Sequence, residues 1–207
     1  MGTGVPKQFL PLAGKPVLMY SIEAFRMAVT GIPIILVLPE DQQDIWSDLC
    51  KKYQFSEPYT VVAGGNTRYQ SVKNGLAALT GSGYVAIHDG VRPMISPATI
   101  RRLFAEASVH SCAIPVISPK DSLRWQDQEG NRVIDRNFVK IIQTPQVFEL
   151  NKLRAAYVQE YEAGFTDDAT VWEKFGGKVH LAEGQEDNVK ITTMEDLIFA
   201  EGMMGRR

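Results

Sequence analysis

Tyr84-Val85-Ala86-Ile87-His88-Asp89-Gly90-Val91-Arg92-Pro93 passes directly from four strand-forming residues into a charged turn. The first four read as a strand over 84–87. A few residues on, Ser96 with Pro97 behind it starts a helix over 96–108. Upstream, Thr67 reads as the N-cap of a helix over 67–79, preceded by a strand over 59–62. Further upstream, Ile45, Leu49 and Cys50 fall at helical spacing within 41–53. Before them Ile34-Ile35-Leu36-Val37-Leu38 reads as a strand buried on both faces. Downstream, 112–116 is a fourth strand. This strand–helix alternation predicts an α/β fold with a mostly parallel sheet flanked by helices on both faces. In such sheets ligands gather at the carboxyl ends of the strands.

One segment breaks the rhythm. Residues 118–142 are polar, and Leu123–Gln126 and Arg132–Asp135 flank a turn built on Gly130-Asn131. An isolated hairpin is marginal in water, so Trp125 and Val133 need something to pack on. The expectation is a β-arm that embraces a second subunit; the alternative folds it back on its own domain. Helices over 150–163, 167–175 and 194–203, with a strand over 178–181, complete the reading.

At 207 residues the chain suits a single domain, 1–207. Its net charge of -2 argues against a protein that coats nucleic acid. Cys50 and Cys112 stand apart without metal spacing, as reduced thiols do in the cytoplasm. The strongest apolar stretch, 32–38, is far short of a membrane span, and the N-terminus lacks a signal-peptide pattern. A cytoplasmic protein with no membrane or nucleic-acid partner is expected.

His88, His110 and His180 are the only histidines; none sits in HExxH or beside a GxSxG serine, and no P-loop is present. What remains are cations and small residues at strand-to-helix joints. Gly64-Gly65-Asn66-Thr67-Arg68 opens a helix whose N-terminal N–H groups suit an anion. Arg68 and Ser71 lie one turn apart on one face, which suits a nucleotide, although a plain glycine turn reads equally well. Asp89 stands where a lone carboxylate can hold Mg²⁺ beside phosphate oxygens, and Arg92 is a natural phosphate partner. A salt-bridged Asp–Arg pair is the competing reading. Lys7 and Lys190 each read alone as solvated charges.

Seven segments in order make a stronger statement. Pro6-Lys7-Gln8, Gly64-Gly65-x-x-Arg68-x-x-Ser71-Val72-x-x-Gly75-Leu76, and His88-Asp89-Gly90-Val91-Arg92-Pro93 come first. Asp135-Arg136, Gln143-Thr144-Pro145-Gln146-x-Phe148, Thr166-Asp167-Asp168-Ala169 and Asp187-Asn188-Val189-Lys190-Ile191-Thr192 come after them. Together they resemble the 2-C-methyl-D-erythritol 4-phosphate cytidylyltransferases of the non-mevalonate isoprenoid pathway. The resemblance implies a Rossmann-like sheet, a projecting arm that forms a homodimer, CTP as donor, a small polyol phosphate as acceptor, and Mg²⁺. It further implies that Gly65, Asn66, Arg68 and Ser71 form the cytidine loop, with Gly64, Gly90 and Arg92 in the same binding set. Asp89 would be the metal-side carboxylate, and Lys7 a cation stabilising the transition state. Arg136 and Lys190 would position the acceptor phosphate, with Ser122 and Thr144 as further contacts. Ser122 and Arg136, on the arm, would reach the partner's site.

The resemblance departs at the start. The family opens with a strand and a glycine-rich loop ending in an arginine-methionine-glycine type sequence; here Met1-Gly2-Thr3-Gly4 looks like the tail of that loop. The sequence is therefore expected to lack the strand and most of the loop. Two rival readings are a ribitol-5-phosphate cytidylyltransferase, which shares most of these motifs, and a nucleotide-binding homologue that has lost catalysis.

Overall fold

Capping side chains set the helix starts. Thr67 Oγ1 accepts the Gln70 N–H at 3.0 Å and starts α3 (Arg68–Ala78). Ser96 Oγ accepts the Thr99 N–H at 3.1 Å and starts α4 (Pro97–His110), with Pro97 in its first turn. Residues 5–205 are described by the structure, a computed structural model. The loop tail read at Met1-Gly2-Thr3-Gly4 lies outside them. A 3-10 turn at Lys7–Phe9 leads into β1 (Pro11–Leu12), β2 (Lys15–Pro16), α1 (Val17–Ala28), β3 (Ile35–Leu38), α2 (Gln43–Lys52) and β4 (Thr60–Ala63). After α3 come β5 (Tyr84–Ile87), α4, β6 (Cys112–Ile117), β7 (Leu123–Asp127), β8 (Gly130–Ile134), β9 (Ile141–Ile142) and β10 (Gln146–Glu149). The chain ends with α5 (Leu150–Ala156), α6 (Asp168–Lys174), β11 (Leu181–Glu183) and α7 (Met194–Met204).

The fold is α/β, but the sheet is mixed rather than mostly parallel. Its path runs β11-β6-β10-β5, with β9 also against β6, while β3 and β4 form a separate parallel pair. β11 runs parallel to β6, whereas β10 runs antiparallel to both β6 and β5. No crossover helix precedes β10. The chain returns from the hairpin excursion instead of crossing over a face, so the strand enters in the opposite direction. Among the described residues β3 hydrogen-bonds to β4 alone, and β5 to β10 alone. β3 also alternates, with Leu36 and Leu38 buried and Ile35 and Val37 half-buried.

Residues 123–134 form the expected hairpin, but its turn is shifted. Asp127 pairs with Gly130, so Gln128 and Glu129 make the turn, and Asp127 Oδ1 accepts the Glu129 N–H at 2.9 Å. Gly130 supplies a φ of +135° just after it. Among the described residues β7 and β8 pair only with each other, whereas Ile117 pairs with Ile141 at the base of the excursion. The helix expected over 150–163 stops at Ala156 because the Tyr69 hydroxyl donates to the Tyr157 and Gln159 carbonyls, at 2.9 and 2.6 Å. The strand expected over 178–181 forms at 181–183, in register with Ile114–Val116.

Three apolar clusters hold the site's elements in place. Tyr69, Phe148, Ala169 and Trp172 join α3, β10 and α6. Phe9, Leu36, Leu38 and Trp46 seat the 3-10 turn against β3 and α2. Leu10, Leu12, Met94 and Ile191, with Val91 and Val189, draw the segment after Lys7 and two later loops together. Among the described residues no helix is long and apolar enough to cross a membrane.

Candidate active site

β5 ends at Ile87, and the chain then turns through His88, Asp89 and Gly90. Asp89 Oδ2 lies 3.3 Å from Arg92 Nε and 3.0 Å from Lys190 Nζ. The salt-bridged reading of the Asp89–Arg92 pair is thus realised, with Lys190 added from a loop a hundred residues on. Burial alone would raise the Asp89 pKa. The charge and hydrogen bond of Lys190, and then Arg92, outweigh it and hold the carboxyl below its ordinary value. Burial draws Arg92 down, with Asp89 opposing. Arg92 Nη1 also donates to the Asn188 carbonyl at 2.8 Å, and the Ile191 N–H donates to the Val91 carbonyl at 2.9 Å. These bonds lock the Asp89 turn to the Lys190 loop. Gly90 packs closely on α1: a Cβ there would come within 2.9 Å of Leu18 Cδ1.

Thr144 lies under this turn, and its side chain is engaged inside the protein. Its Oγ1 accepts the Asp89 N–H at 3.0 Å and lies 3.1 Å from His88 Nδ1. His88 Nε2 lies 3.2 Å from the Arg92 carbonyl, which can only accept; Nε2 therefore carries the proton and Nδ1 accepts from Thr144. Burial lowers the His88 pKa to about 4, with Asp89 opposing, so the imidazole is a neutral strut at pH 7. Asn188 is buried and donates to the Thr144 carbonyl at 2.8 Å. Gln143 and Gln185 exchange two bonds: the Gln185 N–H donates to Gln143 Oε1 at 3.0 Å, and Gln143 Nε2 donates to the Gln185 carbonyl at 2.9 Å.

The glycine loop is the second half of the site. Its N-terminal glycine, Gly64, continues the β4 ladder through a 2.8 Å bond to the Leu38 carbonyl. A Cβ on Gly65 would fall 2.2 Å from Gln70 Cγ. Ser71 Oγ accepts the Gly65 N–H at 3.0 Å and donates to the Thr67 carbonyl at 2.9 Å, so it shapes the loop. Asn66 is exposed. Arg68, three residues before Ser71 in α3, forks onto Asp168, with contacts of 3.1 and 2.5 Å. Asp168 raises the Arg68 pKa against the opposing effect of burial, and the Asp89 charge adds to it through space.

Lys7 is exposed, at the start of a 3-10 turn whose Phe9 stacks on Trp46 at 5.9 Å. Ser122 and Arg136 are both exposed on the excursion, and Arg136 donates to the Lys120 carbonyl. Lys120 Nζ in turn lies 2.8 Å from Glu186, at the start of the Lys190 loop. The structure therefore joins Asp89, Arg92, Thr144 and Lys190 by direct contact, holds Arg68 nearby, and leaves Ser122 and Arg136 on the arm. Asp168, Tyr157, Gln146 and Gln185 escaped the sequence reading as individuals. Asp168 and Gln146 did lie inside two of the seven motifs, the one signal available.

Among the described residues no group of three His, Cys, Asp or Glu side chains could hold a metal ion. Asp89 is thus a single ionised carboxylate, a donor set that fits a cation keeping water and substrate oxygens around it, as Mg²⁺ does.

Comparison with known proteins gives a consistent result. The sequence profile of the 2-C-methyl-D-erythritol 4-phosphate cytidylyltransferases matches residues 1–206. A protein of that name from Bacteroides thetaiotaomicron is 48% identical over 204 residues, covering 99% of this chain and 93% of its own. One from Lachnoclostridium phytofermentans is 39% identical over 210 residues, covering 99% and 90%. Among solved structures, 4-diphosphocytidyl-2C-methyl-D-erythritol synthase from Anaerococcus prevotii superimposes with a TM-score of 0.84 at 31% identity, covering 96% of this chain and 93% of that one.

Proposed function

This chain belongs to the 2-C-methyl-D-erythritol 4-phosphate cytidylyltransferase family, and from that premise we propose how its own residues carry the reaction. The enzyme transfers a cytidylyl group from CTP to 2-C-methyl-D-erythritol 4-phosphate in isoprenoid precursor biosynthesis. A phosphate oxygen of the acceptor attacks the α-phosphorus of CTP. The bond from that phosphorus to the α–β bridging oxygen breaks, releasing pyrophosphate and 4-diphosphocytidyl-2-C-methyl-D-erythritol. The nucleophile is largely ionised at pH 7, its second pKa being about 6. It needs no general base, and the histidine at the site, His88, is half-buried and hydrogen-bonded on both nitrogens.

The protein's task is to bring anions together in line. Lys7 stabilises charge at the transferring group, and Lys190, with Arg136 from the arm, positions the acceptor phosphate. The glycine loop from Gly64 to Ser71, with Arg68, takes the nucleotide. Asp89 holds Mg²⁺, which when bound screens the phosphate charge. The observation carrying this reading is the Lys190–Asp89 contact at 3.0 Å, because it brings an acceptor-side cation and a metal-side carboxylate to one point. Thr144 acts by holding Asp89.

A homodimer through the 118–142 arm completes the proposal. Trp125 is 51% exposed, Val133 72% and Phe138 88%, and these apolar groups gain from covering. Such an arm would carry Ser122 and Arg136 to the partner's site. The unpaired thiols Cys50 and Cys112 support a cytoplasmic location.

Pyrophosphate release from CTP with Mg²⁺ tests the acceptor. Release with methylerythritol phosphate and none with ribitol 5-phosphate is expected; the reverse would overturn the assignment, and silence with both would favour a homologue without catalysis. Lys190→Ala should cripple turnover far more than CTP binding. Sedimentation equilibrium should give twice the mass of one chain, and a monomer at working concentration would remove the arm's assigned role.

A further inference from the structure

Arg68 belongs to the nucleotide loop in the proposed function, and the role inferred for Asp168 rests on that assignment. Arg68 meets Asp168 as two forks, Nη1 to Oδ1 at 3.1 Å and Nη2 to Oδ2 at 2.5 Å. The two side chains differ sharply in exposure: that of Asp168 is at 0% and that of Arg68 at 37%. The carboxylate thus sits inside the protein while the guanidinium straddles its surface. Tyr157, itself buried, donates to the same Asp168 Oδ1 at 2.6 Å. That bond and the fork fix the carboxylate from two directions.

The backbone beneath Asp168 is held as firmly. Asp167 caps α6, its Oδ1 accepting the Thr170 N–H at 2.9 Å. Gln146, buried in β10, accepts the Ala169 N–H at 3.0 Å and donates to Asp167 Oδ2 at 2.8 Å. Gln146 lies opposite Ile87 in the sheet, immediately before His88 and Asp89. The start of β10 therefore sets two things at once: Asp89 through Thr144, and the carboxylate beneath Arg68 through Gln146 and α6. An ion pair with one partner buried is a poor device for stability alone, since the desolvation cost of that partner offsets much of the attraction. It is a good device for aiming a charged group.

We propose that Asp168 is a positioning residue for nucleotide binding: clamped by Tyr157, it fixes Arg68 so that the outer edge of the guanidinium faces CTP. Asp168 does not touch the nucleotide; it acts through Arg68 alone.

Calorimetric CTP affinity of Arg68→Ala, Asp168→Asn and the double variant tests this. Each single change should weaken CTP binding by about tenfold, and the double variant should be no weaker than Arg68→Ala within about twofold. KM for the acceptor should stay within about twofold of wild type. Equal penalties from Asp168→Asn in both backgrounds would reduce Asp168 to a structural residue and overturn the proposal. So would unchanged CTP affinity in folded Asp168→Asn. Unchanged affinity in Arg68→Ala would instead remove Arg68 from the nucleotide site, and the proposal with it. Should Asp168→Asn fail to fold, Tyr157→Phe carries the comparison: about threefold weaker CTP binding in wild type and none in Arg68→Ala is expected. No loss in wild type, or equal loss in both, overturns it.

Discussion

Replacing Thr144 by valine separates its hydroxyl from its shape. The two side chains are nearly the same size, and Thr144 is buried, so the change removes hydrogen bonds without opening a cavity. Two half-buried groups then lose their partner: the Asp89 N–H, now 3.0 Å from Oγ1, and His88 Nδ1, at 3.1 Å. An unsatisfied buried polar group costs about 1–3 kcal/mol. Half-buried, the two groups together lose about 2–4 kcal/mol; the extra methyl returns up to roughly 1 kcal/mol of burial, leaving a net loss of about 1–4 kcal/mol. For a chain of this size that is a Tm lowered by roughly 2–15 °C. Thr144→Ser keeps both bonds and loses one methyl, about 1 kcal/mol. Urea unfolding, with the slope m checked for constancy, and thermal unfolding read the difference. Activity should follow the same order, with valine below serine, because the turn carrying Asp89 loses its support. If valine is as stable as wild type, or serine falls as far as valine, the hydroxyl is not the strut described.

His88 gives an acid-stability prediction. Its folded pKa is lowered to about 4, so between pH 6.5 and 4 the unfolded chain binds a proton that the native state refuses. Stability should fall as pH drops through that window, by about 3 kcal/mol in total; urea midpoints against pH measure it, and His88→Asn should flatten the slope. Asp89, with its pKa lowered, contributes stability above its unfolded pKa that is lost as pH falls through the lower folded value. That loss should disappear in Asp89→Asn. Gly184→Ala would bring a Cβ 2.7 Å from the Val116 carbonyl oxygen in β6, backbone that has no room to give, whereas a Cβ at Gly164 meets nothing within 4 Å. The first should lower Tm by roughly 3–10 °C and the second leave it nearly unchanged; equal effects would contradict the packing described around β11.

What the sequence revealed was what local chemistry decides. Thr67, Ser96 and Pro97 mark helix starts through bonds spanning three residues, and the 84–87 strand is bounded by its own charged turn. β10 was invisible: only Val147 and Phe148 of its four residues are apolar, and its place between β5 and β6 depends on partners about 35 and 60 residues away. α1 also went unread, lacking a side-chain N-cap. The end of α5 is set by a tyrosine hydroxyl from α3, a contact no window of sequence contains. In the site, motif order brought Asp89, Lys190, Thr144 and Arg68 to notice. The division of labour among them was not legible. That Thr144 gives its hydroxyl to the Asp89 N–H and His88, and that Arg68 is committed to Asp168, are facts of long-range geometry.

The excursion between β6 and β10 leaves and returns at one point, where Ile117 faces Ile141. Its length is therefore decoupled from the body. Residues can be gained or lost at its tip at little more than loop-closure cost, without moving the strands on either side. The same closure separates two orders of reaction: the body's strands pair within one chain, a first-order event, whereas the proposed arm-to-arm contact would depend on concentration.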